Sequence, residues 1–117
     1  MAYIDGFLIA VKTANKQVFI DHAKRIDTFF IDNGALRVVE CWGDDVPAGK
    51  ITDFARAVQA GADETVVFSW IEWPDKATRD TAMKALESNA AMMAEPMPFD
   101  GKRMIWGGFD PVYIVEK

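Results

Sequence analysis

Four stretches of the chain are rich in apolar, β-branched and aromatic residues, a composition that favours β-strands. The third stretch, ETVVFSWIEW, has the strongest strand pattern, and Pro74 directly after it cannot continue a strand ladder. A weaker stretch beyond Pro111 predicts a short terminal strand at Val112–Val115. The four main predicted strands are Tyr3–Val11, Ala35–Trp42, Glu64–Trp73 and Arg103–Phe109.

Apolar residues at three- and four-residue spacing predict a long helix from about Lys16 to Asn33. Asn15 or Thr13 can accept hydrogen bonds from the free amides at the start of this helix. Gly34 suits the left-handed conformation that often ends a helix. The predicted inward stripe consists of Val18, His22, Ile26, Phe29 and Phe30.

A second helix is predicted from Lys76 to about Ala90, with Met83 and Leu86 facing inward. Asp75 can cap the start of this helix. The two prolines that follow the helix prevent it from extending further, because proline lacks the amide hydrogen that an interior position needs.

The segment between the second and third strands is less regular. Gly43–Lys50 is predicted to be a loop. Phe54–Val58 favours a short strand, because Ala60–Asp63 can turn it back onto the next strand. A single helical turn is the alternative for the same five residues.

The resulting order is β-α-β-(loop or β)-β-α-β, the split βαβ pattern of ferredoxin-like proteins. It predicts an α+β fold, with a βαββαβ protomer that has an antiparallel sheet and two helices on one face. A length of 117 residues suits one domain, spanning residues 1–117.

Both faces of the predicted sheet are apolar. A sheet that packs helices on one face usually presents polar residues on the other. In the third strand, however, one alternating set is Val66, Phe68 and Trp70, and the other is Val67, Ile71 and Trp73. Because two helices cannot cover both faces, the second face is predicted to meet a second copy in a twofold homodimer.

Charge and cysteine content narrow the expected partners and location. The net charge is -5 and the pI is about 4.7, so nucleic acid is not the expected partner. The lone cysteine, Cys41, suits a reducing compartment. The N-terminus lacks signal-peptide features, and its apolar run is too short to span a bilayer. These features predict a cytoplasmic protein without a membrane partner.

Three side chains are candidates for acid–base catalysis. His22 is the only histidine and faces the sheet, which suits a general base or a haem ligand. Strand alternation places Glu40 and Glu72 each on the same strand face as a tryptophan. In such apolar surroundings the pKa of a carboxyl is raised, so the group could act as an acid or a base. For His22 the alternative is a structural histidine. For the glutamates the alternatives are plain exposure at a strand end or ion pairing with an arginine, namely Arg37, Arg56 or Arg103.

The chain is rich in large, polarisable tryptophan and methionine side chains. They predict either a core and dimer interface or an aromatic ligand pocket. Arg103 is a candidate for binding an anionic group of a ligand, and a solvated strand start is its simpler interpretation. The candidate ligand-binding tryptophans are Trp42, Trp70, Trp73 and Trp106.

Metal and thiol chemistry have little support in the sequence. Cys41 has acidic neighbours, which disfavour a thiolate, so a buried small side chain is the better interpretation. Asp44, Asp45 and Asp53 lack the spacing of a calcium loop and suit turns and helix caps. The chain has no glycine-rich phosphate loop. No metal and no cofactor are therefore expected.

Three blocks of the sequence, VVECWGDDVPAGK, VVFSWIEWP and MPFDGKRMIWGGF, resemble the signature blocks of the DUF1428 family of small bacterial proteins. The resemblance covers about Tyr3 to Val112. It implies a dimeric α/β barrel made of ferredoxin-like protomers, and it transfers no catalytic residue. Some family members carry a label that ties them to signal-recognition-particle RNA.

Three hypotheses of function follow. The first is a protein that binds a small apolar or aromatic molecule, with a cofactor-free enzyme as one form of it. The second is an RNA-binding module, which the acidic strand VVFSWIEW and the low pI oppose. The third is a non-catalytic protein that acts through partners.

Overall fold

Four strands form one antiparallel sheet in the order β2-β3-β1-β4, as seen in a computed structural model that describes residues 2–117. The two central strands, β1 and β3, pair along their whole length, from Tyr3 opposite Trp73 to Lys12 opposite Glu64. This architecture confirms the predicted ferredoxin-like α+β fold. The strands are β1 Tyr3–Lys12, β2 Arg37–Trp42, β3 Glu64–Trp73 and β4 Ile105–Phe109.

Two long helices and two short ones complete the fold. A single 3-10 turn precedes the first helix. The helices are α1 Lys16–Asp32, α2 Phe54–Ala57, α3 Lys76–Glu87 and α4 Ala90–Ala94. Helices α1 and α3 pack on one side of the sheet, here called the helix face. The opposite side is called the open face.

The core lies between the helix face and helices α1 and α3. Strand alternation sends Ile9, Val67 and Ile71 into it, and all three side chains are buried. One cluster joins Phe19 of α1 to Val11 and Val67, and a second joins Phe30 to Ile71 and Trp73. The core therefore follows the length of the two central strands.

The inward stripe of α1 differs from the predicted one. Phe19, His22, Ala23 and Phe30 are buried, whereas Val18 is 56% exposed. The predicted start signal is also wrong, because the side chain of Asn15 makes no capping hydrogen bond. The predicted stop is confirmed, since Gly34 has a φ of 105°.

The second predicted helix is two helices. Its start is confirmed, because the side chain of Asp75 accepts a hydrogen bond from the amide of Thr78. It ends at Glu87, however, and Asn89 begins α4 by accepting a hydrogen bond from the amide of Met92 at 3.0 Å. A side chain that competes for backbone amides thus divides the helix before the prolines are reached.

Phe54–Ala57 forms the helical turn α2, so the favoured strand was wrong and the alternative is correct. Asp53 caps this turn through a 2.7 Å hydrogen bond from the amide of Arg56. The ring of Phe54 packs edge-on against Phe68 of the open face, and the nearby Val58 is only 1% exposed. The segment between β2 and β3 therefore covers part of the open face.

The C-terminal end is less regular than predicted. The last strand begins at Ile105 rather than Arg103, and Val112–Val115 forms no strand. These four residues are strongly exposed, with Val112 at 94%.

No helix within the described residues is long and apolar enough to cross a bilayer.

Candidate functional site

A cavity of about 350 Å³ lies between α1, the helix face of the sheet and the segment that runs from α4 to β4. Its walls are mainly phenylalanine and methionine side chains, which suit an apolar ligand. The phenylalanines are Phe7, Phe19, Phe30 and Phe99, and the methionines are Met92, Met93, Met97 and Met104.

The cavity exists because the second helix is divided after Glu87. Helix α3 continues the core over Trp73 and Ile71, whereas α4 brings the methionines to the edge of α1. Pro96 and Pro98 keep the following residues out of helix and let them return towards β4. One wall of the cavity is therefore irregular chain rather than sheet or long helix.

A pair of carboxyls lies in the cavity wall. Asp27 comes from α1 and Glu40 from β2, and Ser69 of β3 donates a 2.6 Å hydrogen bond to Glu40 Oε2. Burial, the negative charge of Glu40 and a hydrogen bond between the two carboxyls raise the pKa of Asp27 to about 8. The pair therefore holds one proton at neutral pH.

His22 also lines the cavity. It is only 8% exposed, and its ring packs edge-on against Phe99. Its Nδ1 lies 3.5 Å from Glu95 Oε1, and this atom has no hydrogen-bond partner among residues 2–117. The Glu95 carboxylate is instead engaged by Arg25, whose proximity holds the pKa of Glu95 below its usual range.

Of the three predicted catalytic residues, the structure brings two together. His22 and Glu40 line the same cavity. Glu72 points to the open face, where its Oε2 accepts a 2.8 Å hydrogen bond from Trp70 Nε1 and lies 3.0 Å from Arg37 Nε. Glu72 is therefore separated from the other two by the sheet.

The tryptophans take other places, and the described part of the chain has none in the cavity wall. Trp42 packs against Phe19 at a ring distance of 6.2 Å. Trp73 is fully buried in the core, Trp70 lies on the open face, and Trp106 is 60% exposed on the edge strand β4. Phenylalanine and methionine supply the apolar walls that the sequence assigned to tryptophan.

Arg103 is engaged by the protein itself. Its guanidinium donates two 2.8 Å hydrogen bonds to the Glu64 carboxylate and one to the carbonyl of Gln59. It also lies 3.1 Å from Asp100. These contacts tie β3 to the segment before β4, so the arginine has a structural role here.

The sequence-based selection missed three cavity residues. Asp27 follows Ala23 by four positions and precedes Phe30 by three, which places it on the buried stripe of α1. Ser69 alternates with Val67 and Ile71 on the helix face and is a small polar residue among apolar ones. Glu95 lies beyond α4, and no local pattern marked it.

A second buried charge lies outside the cavity. Asp5 of β1 is fully buried, and it accepts hydrogen bonds from Trp73 Nε1 at 2.9 Å and from Arg79 at 2.8 Å. Arg79 also lies over the Tyr3 ring, 5.2 Å from its centroid. Because every charge in this group has a partner, it stabilises the packing of α3 on the sheet.

The carboxyl pair in the cavity wall offers proton chemistry. Among residues 2–117 no group of three potential metal ligands comes together. Asp53, one of the acidic candidates, serves as a helix cap instead. The Asp27–Glu40 pair can give up a proton or accept one near neutral pH, next to the apolar walls of the cavity.

The chain is similar to proteins of known sequence and structure. The family described as "Protein of unknown function (DUF1428)" matches residues 2–101. Two relatives, both described as "Uncharacterized protein YbaA", come from Escherichia coli strain K12 and from Shigella flexneri. Each is 50% identical over 114 residues, which cover 96% of this chain and 97% of the relative.

Two solved structures share the fold, and both are described as dimeric ferredoxin-like proteins from an uncultured marine organism. Their TM-scores are 0.59 and 0.56, at 8% and 12% identity. The alignments cover 98% and 100% of this chain, and 99% and 100% of those chains. The family match and the half-identical relatives establish that this chain belongs to the DUF1428 family.

Proposed function

We propose that this chain forms a homodimer in which each protomer binds a small apolar or aromatic molecule in the cavity under α1. The observation that carries the proposal is the cavity itself, with about 350 Å³ of space, apolar walls and a few convergent polar groups. Binding sites for small molecules commonly combine these three properties.

The homodimer is supported by the apolar side chains left on the open face. Phe68 is 45% exposed, and Ile105 and Phe109 are exposed on the same face, two strands away on β4. Exposed apolar surface of this kind is typical of an interface. A second copy is the occupant that we infer, because both solved structures of similar fold are described as dimeric.

The C-terminal tail adds to the apolar surface. Val112, Tyr113, Ile114 and Val115 are all more than half exposed, and they follow directly after the edge strand β4. Burial of such side chains against a partner would release about 25 cal/mol for each Å² of apolar surface. We assign the tail to the same dimer contact.

Acid–base catalysis without a cofactor is the enzymatic form of this proposal. Asp27 and Glu40 share a proton at neutral pH, and the His22 ring lines the same cavity. These groups can move a proton to or from a bound molecule. RNA binding has no comparable support, because the open face carries Glu72 and exposed apolar side chains in place of a basic surface.

Two further expectations belong to the proposal. We assign the whole chain, residues 1–117, to one domain, since a single sheet and its helices organise it. We also place the protein in the cytoplasm, where Cys41 would stay reduced.

Native mass spectrometry of gently purified protein tests the cavity. The expected spectrum shows a dimer with additional mass that is lost on denaturation. Ala23→Met places a larger side chain in the cavity wall and should abolish the additional mass. Ala77→Met, at an exposed position of α3, is the matched control and should retain it. Equal retention by both variants would exclude the cavity as the binding site.

Light scattering tests the dimer with a second matched pair. Ile105→Lys places a charge on the open face, whereas Ile31→Lys places it on an equally exposed position of α1. The first variant should shift the mass towards one protomer at micromolar concentration, and the second should keep the dimer. A monomeric parent protein would refute the homodimer.

A further inference from the structure

The cavity contains negative charge without a matching cation. Asp27, Glu40 and Glu95 line it, and the described part of the chain contributes no lysine or arginine to its walls. The cation that contacts Glu95 is Arg25, which is 57% exposed, and Lys24 borders the Asp27–Glu40 pair from a shallow outer groove. An anionic ligand would therefore meet carboxylates of its own sign in a partly buried space.

A second observation points to a missing hydrogen-bonding partner. His22 is more than nine-tenths buried, lines the cavity and has an unpartnered Nδ1. A buried polar atom without a partner costs about 1–3 kcal/mol. A positively charged hydrogen-bond donor placed in the cavity would compensate the charge of the carboxylates that lie around this histidine.

We propose that the molecule bound in the cavity is an apolar amine, with its ammonium group held by the carboxylates beside His22 and its hydrocarbon body packed against phenylalanine and methionine side chains. This inference rests on the proposed small-molecule site and specifies its ligand class. An ammonium group has three N–H donors and no acceptor, which suits a wall supplied with acceptors. The aromatic rings favour a cation as well.

The carboxyl pair makes binding sensitive to pH. Asp27 is protonated at neutral pH because it is partly buried and faces the Glu40 carboxylate of β2, while Ser69 of β3 is neutral. Lys24 of α1 lies on the outer side of the pair, in a shallow groove. His22, together with Glu95 and its partner Arg25, completes the set of titratable groups around the cavity.

Proton release is the expected signature of the amine. An alkylamine has a pKa near that of lysine, about 10.4, and therefore arrives with its proton at pH 7. Its positive charge favours the doubly ionised carboxyl pair, so the shared proton leaves Asp27 for the solvent. Up to one proton is released per bound ligand, and no covalent bond changes.

Isothermal titration calorimetry with three probes of equal length tests the charge preference. The probes are 4-phenylbutylamine, 4-phenylbutanol and 4-phenylbutyrate, titrated at pH 7 in phosphate and in Tris. We expect the amine to bind at least about tenfold more tightly than the alcohol, and the carboxylate to bind most weakly. The apparent enthalpy for the amine should differ between the buffers, because they take up the released proton with different heats.

Variants separate charge from shape. Asp27→Asn keeps the size of the side chain but cannot ionise, so it should remove the buffer dependence and weaken amine binding about tenfold. Alcohol binding should weaken much less than amine binding, and its retention also shows that the variant is folded. Asp32→Asn, at an exposed position of the same helix, is the control and should behave like the parent protein.

The outcomes distinguish the two proposals. Tighter binding of the alcohol or the carboxylate than of the amine overturns the amine inference and leaves the small-molecule site in place. An equal effect of Asp27→Asn on amine and alcohol overturns it too, because the residue would then only shape the cavity. Failure of all three probes to bind at millimolar concentration overturns both proposals.

Discussion

Ser69 and Glu40 lie directly opposite each other on β3 and β2, and Ser69 Oγ donates a 2.6 Å hydrogen bond to Glu40 Oε2. This bond fixes one carboxylate oxygen of Glu40 on the helix face. Asp27 of α1 meets the carboxylate there, which couples the protonation of the two groups. A small hydroxyl on the central strand thus positions the charge of the cavity wall.

The coupling predicts that Asp27 destabilises the fold at alkaline pH. The pKa of Asp27 is raised in the folded state, to about 8, so its contribution to stability is complete below about pH 4 and is lost as the pH rises through 8. Asp27→Asn should therefore have a higher free energy of unfolding than the parent protein at pH 8.5, and this difference should be smaller at pH 5. Because Glu40 is exposed and Asp27 half-buried, we expect a gain of about 1–2 kcal/mol in urea unfolding.

The matched control is Asp32→Asn, at the exposed end of the same helix. Its unfolding free energy should show the same pH dependence as that of the parent protein. If Asp27→Asn and Asp32→Asn shift stability equally at both pH values, Asp27 titrates as an ordinary surface carboxylate.

The buried ion pair of Asp5 and Arg79 predicts a strongly destabilised single variant. Arg79→Met leaves the fully buried Asp5 carboxylate with Trp73 Nε1 as its remaining side-chain donor, which should cost about 3–5 kcal/mol. Asp5→Asn combined with Arg79→Met should recover part of this loss. Chemical denaturation of the two variants measures both free energies.

Lys76→Met is the control for this pair, because Lys76 lies on the same helix with an exposed side chain. It should change stability by less than about 0.5 kcal/mol. A comparable loss for Lys76→Met and Arg79→Met would show that the helix, and not the buried charge, determines the effect.

Glu64 predicts a loss of stability in acid. Two hydrogen bonds from Arg103, and one from the amide of Gly61, lower the pKa of Glu64 to about 2. A lowered pKa gives stability that is present above about pH 4.5 and is lost as the pH falls through 2. Glu64→Gln should therefore melt at a lower temperature than the parent protein at pH 7, and the difference should shrink towards pH 2. The exposed Glu87→Gln should show no such convergence.

A side chain at position 34 is predicted to destabilise the fold. The φ of 105° at Gly34 is unfavourable for other residues, and an added Cβ would lie 2.5 Å from Thr78 Cγ2. Gly34→Ala should cost about 1–3 kcal/mol of unfolding free energy. Adding Thr78→Ser removes the methyl group, so any recovery measures the clash and the remaining loss measures the backbone strain.

The sequence predicted the sheet well because its signals are local. Both ends of β3 were correct, since alternation in ETVVFSWIEW, Pro74 and the cap at Asp75 all agree. The predicted inward stripe of α1 included Val18 wrongly. His22 and Ile26 are spaced so that either Val18 or Phe19 could share a helix face with them. Only packing against Val11 and Val67 selects Phe19 over Val18.

The cavity was predicted in part. His22 and Glu40 were identified from residue type and alternation, and both line it. Asp27 and Glu95 meet them through the packing of α1 and α4, which no local spacing encodes. The tryptophans were assigned to the pocket by composition, but Trp73 fills the core through its bond to Asp5 instead.

The break at Asn89 separates the part of the chain that holds the fold from the part that shapes the cavity. Met92, Met93 and Met97 lie outside both buried core clusters, yet they line the cavity. Substitutions among them should change the shape of the cavity while leaving the sheet and its two long helices intact. In the small-molecule proposal, this short segment would therefore set the ligand preference at little cost to folding.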